Sequence, residues 1–199
     1  MLQKSHLILF LLGLPLAAAA DSVTEQIDAG KAAYEAGEYR KAVEELNFAI
    51  AEIQEKISEQ DRKLLPDPLP GWQAEEAQAQ SMAMMGMAGS ALNRTYYRES
   101  GEQVTIEVVA DSPMIQMFAM MLANPMMLQG DPSTKVFRHK GERGLMKHEP
   151  GSRDWEATLL LAGGRILVQV TGTGLEDDGP VKAYLDALDL EKLKSRLAH

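Results

Sequence analysis

Val43, Leu46, Ile50, Ile53 and Ile57 recur at steps of three and four residues, with Glu44, Glu45, Glu52 and Lys56 between them. That stripe is the mark of an amphipathic helix. Gly37 interrupts the pattern just before it, so residues 23 to about 62 read as two helices, the first ending near Ala36. Beyond residue 92 the period changes to two. The segment 92–110 reads as two strands joined at Ser100-Gly101, with Val104, Ile106 and Val108 on one side and Thr105 and Glu107 on the other. Residues 134–149 read as a second hairpin, with its turn near Gly141 to Gly144 centred on Glu142-Arg143; this sets His139 opposite Met146. Residues 153–172 read as a third, with Gly163-Gly164 supplying the positive backbone angles of a tight turn. Leu159, Leu160 and Leu161 in succession suggest a strand covered on both faces. Val181, Tyr184, Leu185, Leu188, Leu193 and Leu197 predict one closing helix over about 180–197, preceded by Glu176, Asp177 and Asp178, which suit the positive end of a helix.

Between the two periodic regions lies KLLPDPLPGW, residues 63–72, with three prolines in five positions. It reads as an extended linker and places the domain boundary. Residues 78–91 follow, mixing four methionines with glycine, alanine and serine, and read as a loop. The expected fold class is therefore α+β: an N-terminal antiparallel helical hairpin, then a two-layer sandwich of an antiparallel sheet with helices on one face. The expected domains are a leader at 1–20, the hairpin at 21–62, the linker at 63–72 and the sandwich at 73–199.

Two resemblances accompany this layout. Gly30, Ala33, Gly37, Tyr39, Ala42, Leu46 and Ala49 fall at the spacings of one tetratricopeptide repeat, over about 34 residues. Small residues at Gly30 and Ala42 let antiparallel helices approach closely, and Tyr39 fills the turn side. Such units stack in threes or more, and no second copy is seen, so the hairpin is expected to dock on the rest of the chain or on another molecule. The order of strands and helices after the linker is similar to small PsbP/Mog1-like domains, a likeness of layout that carries no function.

The first twenty residues change the compartment. A positive start at Lys4, an apolar run over 7–16 and a small-residue Ala-x-Ala end resemble a secretory signal peptide cleaved after Ala20. The run is too short to span a bilayer. The expectation is a periplasmic protein with no transmembrane anchor after processing. The formal net charge of −9 argues against nucleic acid and anionic lipid as partners. The absence of cysteine excludes thiol catalysis and thiolate metal sites.

The candidate chemistry is sparse. No nucleophile elbow, phosphate loop, metalloprotease or calcium-loop motif occurs. GTGLEDDG, residues 172–179, reads as a turn and helix start. Glu107, Asp111 and Asp154 are available carboxylates that nothing in the sequence pairs. His139 with Met146 could hold a soft cuprous ion, against the plainer reading of an exposed cross-strand pair.

The functional lead is SPMIQMFAMMLANPMM, residues 112–127, with six methionines. Ser112-Pro113 reads as a helix start and Asn124-Pro125 as its stop. Met114, Met117, Phe118 and Met121 share one face, Ile115 and Leu122 lie beside it, and Met120 points a third way. A helix apolar all round must be covered all round: by the sheet, the N-terminal hairpin, the loop at 82–87, a partner or a membrane surface. Methionine is flexible and polarizable, and recurs on surfaces that adapt to varied partners. The candidate binding residues are Met114, Met117, Phe118, Met120, Met121, Met126 and Met127, with no metal and no cofactor. The expected function is non-enzymatic binding of an envelope protein or an apolar ligand. Alternatives are a gap-filling core helix, thioether binding of Cu(I) or Ag(I), and an enzyme of unrecognised chemistry. The sequence leaves the oligomeric state open.

Overall fold

The computed structural model describes residues 21–81, 89–123 and 131–198. It divides into two compact units, the first ending at Ile53 and the second running from Gln54.

The first unit is a helical hairpin of helix α1 (Ser22–Glu35) and the first part of helix α2 (Tyr39–Arg62), joined by a tight turn; the last part of α2, from Gln54, belongs to the second unit. Gly37 takes φ +78°, a left-handed conformation that suits glycine. There the amide of Gly37 donates to the Tyr34 carbonyl and that of Glu38 to the Ala33 carbonyl. Small residues set the spacing. Ala33, Ala42 and Ala49 are buried, and a Cβ on Gly30 would lie 2.8 Å from Leu46 Cγ. Ser22 and Glu52 tie the open end through a side-chain hydrogen bond.

The second unit is built on an antiparallel sheet. Its strands are β1 (Gln73–Ala74), β2 (Gln78–Ser81), β3 (Ser90–Tyr97), β4 (Gln103–Ala110), β5 (Thr134–His139), β6 (Glu142–Lys147), β7 (Trp155–Leu161) and β8 (Ile166–Thr173). Their order is β1-β3-β4-β8-β7-β6-β5, with β2 also on β3. Period-two patterning settles which face is buried. Val104, Ile106, Val108, Ala157, Leu159, Leu161, Ile166, Val168 and Val170 all point into one core. Each fully buried aliphatic side chain of this kind stabilises by about 1.5–3 kcal/mol. Helices α4 (Gly179–Ala187) and α5 (Leu190–Leu197) supply Val181, Tyr184, Leu185, Leu193 and Leu197 to the same core. Helix α3 (Pro113–Ala123) follows β4. The chain is α+β, a helical pair followed by an antiparallel sheet domain with helices.

Several expectations need correction. The second hairpin turns at Lys140-Gly141, with φ of +47° and +87°, not at Glu142-Arg143. Two consecutive positive angles suit the two-residue hairpin turn that follows strand twist. His139 therefore faces Glu142, and Met146 faces Lys135. Gly144 is a strand residue, where a Cβ would sit 2.4 Å from the Thr158 carbonyl oxygen. Residues 78–81 of the expected loop form β2, because backbone pairing with β3 does not require apolar side chains. The closing helix is two helices. Leu188 is extended, with ψ 130°, and Asp189 caps α5 by accepting from the Lys192 amide at 3.0 Å.

The proline-rich segment is packed and not a spacer. Leu64, Leu65 and Trp72 are buried in the main core. The Pro66 carbonyl accepts from Tyr96 at 2.7 Å and from Arg94 at 2.9 Å. Tyr184 sits between Trp72 and Tyr96, with ring centroids 5.5 and 4.2 Å away. Burial pushes the phenols of Tyr96 and Tyr184 above their ordinary pKa. On β7, Leu159 and Leu161 are fully buried and Thr158 is buried on the opposite face, while Leu160 is half-buried.

Candidate functional site

Helix α3 begins at Pro113, as its fixed φ favours. Asp111 directs the chain into it. Its φ of +52° breaks the β4 conformation, its amide donates to the Arg165 carbonyl at 2.9 Å, and its carboxylate accepts from Arg165 Nε at 3.1 Å. The helix thus starts beside the β7–β8 turn. A Cβ on Gly164 in that turn would lie 3.7 Å from Leu160 Cδ2 and 3.8 Å from Ala119 Cβ.

The helix carries no charged residue. Ile115 and Leu122 are buried, Phe118 and Ala119 are half-buried, and Gln116 is exposed. These four apolar residues follow the three- and four-residue steps of one helical face. Met120 lies off that face and is 73% exposed. The expectation of cover on every side is not met at Met120 among the described residues. For Met114, Met117 and Met121 only the helical backbone is described, while Met126, Met127 and the methionines of 82–87 lie outside the described residues, as does the leader at 1–20.

The other candidates separate. Asp111 is paired with Arg165, Asp154 accepts from the Gly174 amide at 3.4 Å, and Glu107 is exposed between Asn93 and Gln169 in register. They do not form a carboxylate pair. His139 Nε2 lies 3.2 Å from the Leu185 carbonyl, and His148 stacks on Trp155 at 3.6 Å between ring centroids. Among the described residues no group of three or more histidines and acids is placed to hold a metal ion. In GTGLEDDG, Gly172 and Thr173 are the end of β8 and only the rest is a turn and helix start: Leu175 is buried and Gly179 donates to Asp177 Oδ1 at 2.8 Å.

One feature escaped the sequence. A cleft of about 410 Å³ is lined by Ile57, Asp61, Ala79, Leu92, Arg196 and Leu197, among others. Arg196 Nε donates to Asp61 Oδ1 at 3.0 Å along its wall. Its β2 side was hidden because QAQS has no apolar alternation. The Asp61–Arg196 pair joins residues far apart in the chain, which no local spacing signals. Among the described residues no helix is long and apolar enough to cross a membrane. No protein-family model, curated protein or solved structure matches the chain.

Proposed function

We propose that this is an exported, non-enzymatic envelope protein that binds another protein or an apolar ligand through its methionine-rich helix. The observation that carries the reading is Met120, 73% exposed on a helix that has no charged residue. An apolar, flexible side chain held out from an uncharged helix suits contact with a partner of variable shape. The leader-like pattern at 1–20 supports export to the periplasm. The close approach at Gly30 and Leu46, with buried Ala33, Ala42 and Ala49, supports reading the hairpin as a single tetratricopeptide-like unit.

Leucine and serine substitutions test the site, because leucine keeps apolar volume and removes sulfur. With Met114, Met117, Met120 and Met121 all changed to leucine, proteins captured from envelope extract should be retained. With all four changed to serine they should be lost. Capture unchanged by serine overturns the reading. Stoichiometric cuprous-ion binding by the wild type that the leucine variant loses would replace it with a thioether metal site.

A further inference from the structure

The hairpin carries a second apolar surface. On α2, Tyr39, Val43, Leu46, Ile50 and Ile53 succeed one another at steps of four, three, four and three. Their average period of 3.5 keeps a seam on one side of a helix, which is the spacing of paired helices. On α1, Ile27 and Tyr34 stand two turns apart and so share a side. The rings of Tyr34 and Tyr39 meet with centroids 5.6 Å apart, which joins the two helices' apolar sides into one face. All seven side chains are between 39% and 65% exposed. The interior of the hairpin is filled by Val23, Gly30, Ala33, Ala42 and Ala49, and Leu46 lies against Gly30 while staying 40% exposed.

We infer that this face is the self-association surface of the protein, pairing antiparallel with a second copy of the same chain about a two-fold axis. Three observations favour a second copy as occupant. The spacing is that of a helix that pairs with another helix. The seven residues expose roughly 600–700 Å² on each copy, so full cover sets an upper limit of about 1,300 Å² on the buried area, at the lower end of the range of stable interfaces. Charge placement on α2 lowers the obstacle that a net charge of −9 sets against self-association. Arg40 and Asn47 flank the seam on its open side and neither is acidic, while Glu44, Glu45 and Glu52 stand away from it; on α1, the exposed acids Asp28 and Glu35 neighbour Ile27 and Tyr34. An antiparallel arrangement also opposes the two helix dipoles. In this register Val43 lies opposite Ile53 of the second copy, Leu46 opposite Ile50, and Asn47 flanks the axis beside its own counterpart.

The full chain, which has no native cysteine, permits a direct test. Sedimentation across a concentration series should give twice the monomer mass. Ile50→Glu, at an exposed position, should return the mass to that of the monomer with an unchanged circular dichroism spectrum. In Asn47→Cys, diamide should oxidise two thiols to one intermolecular disulfide, whereas Lys41→Cys on the outer side should give none. A monomer at every concentration, a dimer that survives Ile50→Glu, or cross-linking of the Lys41→Cys variant in place of the Asn47→Cys variant would overturn the inference.

Discussion

Tyr96, on β3, donates its hydroxyl proton to the Pro66 carbonyl at 2.7 Å, and so fastens the proline-rich segment to the sheet. The ring is fully buried against Tyr184, so one side chain serves both the apolar core and a backbone acceptor. Arg94 donates to the same carbonyl at 2.9 Å. Tyr96→Phe keeps the ring and leaves Pro66 one donor, so it should cost about 0.5–1.5 kcal/mol in urea unfolding. Adding Arg94→Met should cost more than the two single changes together, because the carbonyl then has neither donor. Strict additivity would show that the two donors do not share the load.

Gly144 and Gly141 are three residues apart and should respond differently to alanine. At Gly144 the new Cβ meets the Thr158 carbonyl oxygen at 2.4 Å, a backbone atom that cannot turn aside. Overpacking of this kind costs typically about 1–3 kcal/mol or more. At Gly141 nothing lies within 4 Å, and the cost comes from the φ of +87° alone. Thermal unfolding should therefore rank Gly144→Ala as the more damaging; the reverse order would contradict the strand placement of Gly144.

The legibility of the chain follows the strength of its local signals. The helix stripe of α2, the break at Gly37 and the alternation of β4 each rest on several residues of one period, and they stand where the pattern puts them. Residues 140–144 contain two glycines, and only cross-strand pairing decides which one turns. Three prolines describe backbone stiffness, but the burial of Leu64, Leu65 and Trp72 depends on Tyr96 and Tyr184, distant in sequence. In α3 the bounds were readable from Pro113 and Asn124-Pro125, while the division between buried Ile115 and exposed Met120 depends on where the β7–β8 turn lies.

Glu102 should titrate low. Arg98 Nη1 donates to its carboxylate at 3.0 Å and Ser100 Oγ does so at 3.0 Å, and these hold its carboxyl below the usual glutamate value. Arg98 also lies over the Trp72 ring, 4.3 Å from its centroid. A carboxyl with a depressed folded pKa contributes stability that is complete above its unfolded value and is lost as pH falls through the folded value. The NMR titration of Glu102 should thus have its midpoint below that of an unstructured glutamate, about 4.3. Arg98→Gln should move the midpoint upward; a midpoint unchanged by that substitution would deny the guanidinium its role.

Asp189 and Asp178 precede consecutive helices but do different things. Asp189 accepts from the Lys192 amide at 3.0 Å, and so satisfies one of the open donors at the start of α5. Asp178 makes no side-chain cap to α4; its carboxylate pairs with exposed Lys182 at 2.6 Å. A cap is worth about 0.5–2 kcal/mol, whereas an exposed ion pair of this spacing is worth about 0.3–0.5 kcal/mol. Asp189→Ala should therefore destabilise the protein more than Asp178→Ala in denaturant unfolding. Asp189→Asn should recover most of the loss, because the amide oxygen still accepts and only the charge is gone. Salt separates the two causes: raising it should shrink the Asp178→Ala effect and leave most of the Asp189→Ala effect in place. Equal losses, both removed by salt, would mean that Asp189 acts by charge alone and that Leu188, not the cap, ends one helix and begins the next.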